Sequence, residues 1–134
     1  MTQSSDIDWP KLLQQAIEAR NFAYAPYSYY KVGAALLTKN GTVFTGCNIE
    51  NAGYSSTICA ERTAIFKAVS VGELDFVAIA VVTSNAGAPC GVCRQVMREF
   101  AHDLPVLVGN IAGKYQIFSL TELLPQSFGP ESLS

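Results

Sequence analysis

Charge is scarce in this chain of 134 residues. Asp, Glu, Lys and Arg make up 15% of it, against about 25% in an ordinary soluble domain. The 9 basic and 11 acidic residues leave a net charge of −2. A polyanion is held by a basic stripe or patch, so this balance argues against a nucleic-acid partner and for a small-molecule substrate. Residues 1–8 contain neither a basic region nor an apolar one, so no secretory signal is expected. No uninterrupted apolar run reaches the roughly 20 residues of a membrane span. The expectation is a soluble, cytoplasmic protein with no membrane partner. Histidine occurs once: His102 falls at the end of a predicted helix, a position that favours a partly charged ring, and it is not read as a metal ligand. No internal repeat or low-complexity linker divides the chain, and its length fits one domain, residues 1–134.

Hydrophobic residues, by contrast, make up 49%. With so little charge to cover a small sphere, part of this apolar content either meets another subunit or fills a rich core, and composition leaves both open. Residues 9–22 carry Leu12, Leu13, Ala16, Ile17 and Ala19 at near-helical spacing, with Asp8 as N-cap and Pro10 in the first turn. Residues 32–37 and 43–47 read as strands joined across Asn40-Gly41, a strong hairpin signal. A second helix is expected over 59–71, stopped by Gly72. The almost wholly apolar run 76–82 predicts a strand buried on both faces. A third helix is expected to open at Pro89 and run through Ala101. Two further strands at 105–108 and 114–118 follow, then a short helix and tail over 120–133. Helices alternating with strands after an opening hairpin predict an α/β chain with a mixed sheet between helices.

Two short strings carry chemistry: Cys59-Ala60-Glu61 and Pro89-Cys90-Gly91-Val92-Cys93. Cys90 and Cys93, three apart at a predicted helix start, share one face. Cys59 starts another helix, and the positive ends of both helices favour thiolate. Three thiolates leave one tetrahedral position of a zinc ion open for water, as in catalytic rather than structural sites. Glu61, two residues after its cysteine, reaches that position without filling it, which suits a proton shuttle. Arg62 and Arg94 are available to offset the negative charge of the thiolates. Two other readings stand beside this one. Cys-Gly-x-Cys also occurs as a redox pair, which leaves Cys59-Ala60-Glu61 unexplained. A structural zinc with Cys47 as fourth ligand is the second, although a free cysteine at a strand end is commonplace. Cys or His followed by x-Glu and later by Pro-Cys-x-x-Cys is the signature of zinc-dependent nucleobase deaminases, in which the glutamate is not a ligand.

Over nearly its full length the chain resembles the small, homotetrameric, zinc-dependent cytidine deaminases. The matching strings include Ala23-Tyr24-Ala25-Pro26-Tyr27-Ser28, Val32-Gly33-Ala34-Ala35-Leu36-Leu37, Gly46-Cys47-Asn48-Ile49-Glu50-Asn51-Ala52, Cys59-Ala60-Glu61-Arg62-Thr63-Ala64, Cys93-Arg94-Gln95 and Leu123-Leu124-Pro125. The resemblance implies a three-layer α/β/α fold with a central mixed five-stranded sheet, and the hydrolysis of cytidine and deoxycytidine to uridine and deoxyuridine plus ammonia, a step of pyrimidine salvage. It further implies that Cys59, Cys90 and Cys93 bind Zn²⁺, that Glu61 shuttles protons for a zinc-bound hydroxide, and that Arg62 hydrogen-bonds the thiolates. Asn48 and Glu50 would hold the ribose hydroxyls of a free nucleoside, and the backbone of Ala60 would meet the pyrimidine. Tyr54 and Phe128 match positions that neighbouring subunits of the homotetramer supply. Where many relatives have Phe packing on the base this chain has Tyr30, whose hydroxyl leaves stacking possible. The alternatives are a deaminase of another aminopyrimidine nucleoside, such as blasticidin S, and a non-catalytic zinc-binding module.

Overall fold

Asp8 caps the first helix as expected. Its carboxylate accepts from the Lys11 amide at 3.1 Å, satisfying one of the donors that a helix start leaves over, and α1 runs Trp9–Arg20 with Pro10 in its first turn. The computed structural model describes residues 6–133, so most of the polar opening read for a leader signal lies outside the described residues. The hairpin forms where Asn40-Gly41 predicted it: β1 (Gly33–Thr38) pairs antiparallel with β2 (Val43–Cys47), and Gly41 takes the positive φ, 92°, that the turn requires. Next come a 3₁₀ turn (Tyr54–Ser56), α2 (Ala60–Ser70), β3 (Phe76–Thr83), α3 (Gly91–Phe100), β4 (Pro105–Asn110), β5 (Tyr115–Ser119), a one-turn α4 (Leu120–Leu123) and a last 3₁₀ turn, Pro130–Ser132. Each predicted helix and strand is present, with ends within about two residues of those expected.

The five strands form one sheet in the order β2-β1-β3-β4-β5, with β3 and β4 parallel and the other neighbours antiparallel. This is the mixed sheet that the alternation implied. Alternate residues of a strand face opposite ways, and the central strands use both directions. Ala35, Ala78, Ala80, Val82 and Leu107 pack under Leu12, Leu13 and Ala16 of α1. Ala34, Leu36, Ile79, Val106 and Val108 pack under α2 and α3, against Ala64, Ile65, Ala68 and Met97. Two cores on the two faces of one sheet make three layers, and β3 is buried on both sides along most of its length. Burial of such side chains is the main favourable contribution to the fold, about 1.5–3 kcal/mol for each large one.

One close approach sets the position of the site. A Cβ on residue 46 would lie 2.5 Å from the Ala60 carbonyl oxygen and 2.6 Å from the Ala64 amide. Only glycine in β2 lets the start of α2 sit directly on the strand, and Cys59 is the residue before that start. Among the described residues no helix is long and apolar enough to cross a membrane.

Candidate active site

Two helix beginnings meet over the sheet. Cys59 precedes α2 and Cys90 precedes α3, both in extended backbone, and neither side chain caps its own helix. Cys93 lies in the first turn of α3 and is wholly buried. The sulfurs of Cys59 and Cys90 are 3.7 Å apart, those of Cys90 and Cys93 are 3.4 Å apart, and all three lie within 4.8 Å of one another. These separations are far longer than a disulfide bond. They are close to the roughly 3.8 Å edge of a tetrahedron built on 2.3 Å zinc–sulfur bonds. All four cysteines are free thiols, and Cys47 is not part of the group. The cluster therefore offers three sulfurs, which fits an ion with one position left open. The reading of Cys47 as a fourth ligand finds no support; burial pushes its thiol up instead.

The charges around the sulfurs are organised by Arg62, whose Nη2 donates to Cys59 Sγ at 3.4 Å. Its Nε is buried without a hydrogen-bond partner among the described residues. With the thiols alone, the Cys59 thiol is pulled down to about 5. A hydrogen bond from Cys93 pulls it down most, Arg62 assists, and burial opposes. Cys93, donor of that bond and buried, is pushed up. A cation held by the three sulfurs would remove this competition, since a coordinated thiol is deprotonated outright. Arg94, expected to share the offset, does not face the sulfurs. Its Nε donates to the Pro89 carbonyl at 2.8 Å and its Nη1 to the Leu123 carbonyl at 2.7 Å, because one residue on from Cys93 a helix has turned by about 100°.

Glu61, the second residue of α2, is 3% exposed. Burial pushes its carboxyl up to about 7, and the neighbouring Cys59 thiolate adds to the rise. It lines a cleft of about 250 Å³ together with Cys59, Cys90, Asn48 and Tyr30. Ala60 is buried at the first helical position beside them, where the amide has no acceptor within its own helix.

Asn48 and Glu50 also hold the chain that frames this cleft. Asn48 Oδ1 accepts from the Val32 amide at 2.9 Å, and its Nδ2 donates to the Tyr30 carbonyl at 2.8 Å. Glu50 Oε1 accepts from the amides of Tyr27 and Ser28 at 2.9 and 3.1 Å, and its Oε2 accepts from the Ser28 hydroxyl. These bonds hold the Glu50 carboxyl below its ordinary range, the Ser28 hydroxyl contributing most. An amide has two donors and two acceptor sites, and a carboxylate about four acceptor sites, so each side chain keeps capacity for a ligand. Asn48 lines the cleft; Ser28, which Glu50 grips, lines it too. Sequence reasoning assigned no role to Ser28, Thr83 or Asn85. Ser28 stands within a string already singled out, whereas the last two become visible only once β3 is in place beside Tyr30.

Tyr54 is 81% exposed and Phe128 is 58% exposed, and neither lines the cleft of its own chain. The segment bearing Phe128 is fastened to α3. Gln95 Nε2 donates to the Phe128 carbonyl at 2.9 Å, and the buried Arg98 donates to Ser127 Oγ at 2.7 Å and pairs with Glu131. His102 stands beyond the end of α3 and is not in the cysteine group.

Comparison with known proteins places this geometry in a wider setting. Residues 8–108 match the family described as the cytidine and deoxycytidylate deaminase zinc-binding region. The chain is 50% identical to a cytidine deaminase of Sporosarcina psychrophila over 131 residues, covering 96% of each chain. It is 52% identical to one from Halalkalibacterium halodurans, covering 96% of this chain and 99% of the other. Among solved structures, the cytidine deaminase of Burkholderia pseudomallei superposes with a TM-score of 0.87 at 49% identity. That match covers 91% of this chain and all of the other.

Proposed function

Because the chain belongs to the cytidine and deoxycytidylate deaminase family, we propose that it hydrolyses cytidine and deoxycytidine to uridine and deoxyuridine, releasing ammonia. The observation that carries this reading is the meeting of three thiols from two helix starts with a buried carboxylate in one cleft. Cys59, Cys90 and Cys93 would hold Zn²⁺, and Arg62 would hydrogen-bond the sulfurs. What the ion supplies when bound is acidity, bringing water within reach of deprotonation near neutral pH. Glu61 takes the proton from the attacking water and gives it to the ring nitrogen beside the amino-bearing carbon. It then takes the remaining proton from the hydroxyl added to that carbon and passes it to the amino group, so that the C–N bond breaks as the carbonyl forms, one water is consumed and one ammonia leaves. Its burial keeps bulk water from short-circuiting that transfer.

Asn48 and Glu50 hold the ribose hydroxyls with the hydrogen-bonding capacity left to them, the Ala60 amide meets the pyrimidine, and the ring of Tyr30 packs on the base. Tyr54 and Phe128 complete the site of a neighbouring subunit in a homotetramer. Support for this comes from their outward exposure, and from Gln95 and Arg98, which fix the segment around Phe128. Residues 1–134 are read as one deaminase domain acting in the cytoplasm on a free nucleoside. The test is uridine formation by the purified protein, with and without a zinc chelator, and with blasticidin S as the competing substrate. Chelator-sensitive turnover of cytidine is expected. No turnover by zinc-loaded protein would sink the proposal.

A further inference from the structure

Tyr30 and Asn85 are 55 residues apart and meet at the rim of the cleft. The phenol donates to Asn85 Oδ1 at 2.7 Å, and the same oxygen accepts from Thr83 Oγ1 at 3.2 Å. Thr83 Oγ1 in turn accepts from the Gly87 amide at 2.8 Å. One hydroxyl that donates once and accepts once satisfies both bonds. Thr83 is buried at the end of β3, so this run of bonds is anchored in the sheet. The other end is anchored as well: the Tyr30 amide donates to Ser28 Oγ at 3.0 Å, and its carbonyl accepts from Asn48. Between the anchors, the turn through Ala86, with φ at 58°, leads into Pro89 and Cys90.

The packing of Gly87 marks the phenol oxygen as a fitted part. A Cβ on residue 87 would lie 2.6 Å from Tyr30 Oη, inside any real contact. The next atoms it would meet are Asn85 Oδ1 at 3.5 Å and Thr83 Oγ1 at 3.8 Å, both ordinary distances. Remove the one oxygen and an alanine fits.

We propose that Asn85 is a positioning residue that acts through Tyr30, clasping the phenol so that the ring stands as a fixed wall of the nucleoside cleft before the base arrives. The inference rests on the functional reading above, which makes that cleft the pyrimidine site. A ring held in advance loses no freedom on binding, so releasing it weakens ground state and transition state alike. Asn85→Ala should therefore raise KM for cytidine about two- to tenfold, the factor carried by one net hydrogen bond, with kcat within about twofold of the wild type. Asn85→Asp keeps an acceptor oxygen and should restore KM. Tyr30→Phe should raise KM as Asn85→Ala does, and the double variant should be no worse than either single one.

The steric half of the proposal is read by melting temperature, independently of turnover. Gly87→Ala should lower Tm in the Tyr30 protein and be tolerated in the Tyr30→Phe background. Equal losses in the two backgrounds, or additive effects of Tyr30→Phe and Asn85→Ala, would overturn the clasp. Coupled melting temperatures with KM unmoved would overturn its positioning role. Wild-type protein that carries zinc but turns over no cytidine would strike the functional reading, while the melting cycle would still judge the clasp.

Discussion

A carboxylate beside three thiols is open to a clean substitution. Glu61→Gln keeps the size and burial of the side chain but cannot accept and return a proton. Turnover should fall by about 10²- to 10⁴-fold, with zinc content by elemental analysis and the circular dichroism spectrum unchanged. The cysteines should divide sharply. Cys59→Ala, Cys90→Ala or Cys93→Ala should each abolish binding of about one zinc per chain, whereas Cys47→Ala should leave it intact, as its place outside the group implies. The Cys90 and Cys93 pair was legible because three residues apart at a helix start means one face, and Glu61 because it follows its cysteine within the same turn. That Cys59 joins the pair from 31 residues away was legible only through the two-string signature and the family resemblance. Arg94 was not legible in this way, since adjacency in sequence says nothing about which side of a helix a side chain takes. Nor was the bracing of residues 27–32 by Asn48 and Glu50, because those bonds link strands and loops about 20 residues apart.

At the scale of elements, β2 carries α2 on a glycine, and the contact has a measurable consequence. Gly46→Ala must push α2 off the strand to admit a Cβ at 2.5 Å from the Ala60 carbonyl, an overpacking that costs about 1–3 kcal/mol. Cys59 moves with its helix, so a lowered Tm should be accompanied by weaker zinc retention during dialysis against a mild chelator. Asp8→Ala is the control on the opposite face. Loss of the α1 cap should cost about 1 kcal/mol in a denaturant melt and leave zinc retention unchanged, because α1 packs on the side of the sheet away from the cysteines. Helices and strands were readable from periodicity, caps and the Asn40-Gly41 turn, all local signals. The strand order was not. That β1 sits between β2 and β3 follows from which faces must be buried by α1 and α2 together, and no single window of sequence contains that information.

The scale of the whole molecule brings back the low charge. Large apolar side chains stand at the surface, among them Ile49, Tyr54, Val92 and Phe128, which is the outcome expected if part of the apolar content serves other subunits. Light scattering should return four times the chain mass, and removal of the segment after Pro125 should impair turnover while leaving zinc content unchanged. A fully active monomer would end the proposed assembly. The fastening of Phe128 to α3 of its own chain, outside the lining of its own cleft, has a genetic counterpart. On the proposed assembly each working centre draws its carboxylate from one copy and an aromatic side chain from another, so two different defects need not fall on the same centre. Glu61→Gln chains keep a sound tail, and chains truncated after Pro125 keep a sound carboxylate. Each preparation alone should be nearly inert, yet subunits unfolded and reassembled as a mixture should regain a share of activity set by how often a sound tail falls beside a sound carboxylate. Intersubunit complementation of this kind is open only to a protein whose catalytic unit is larger than its polypeptide.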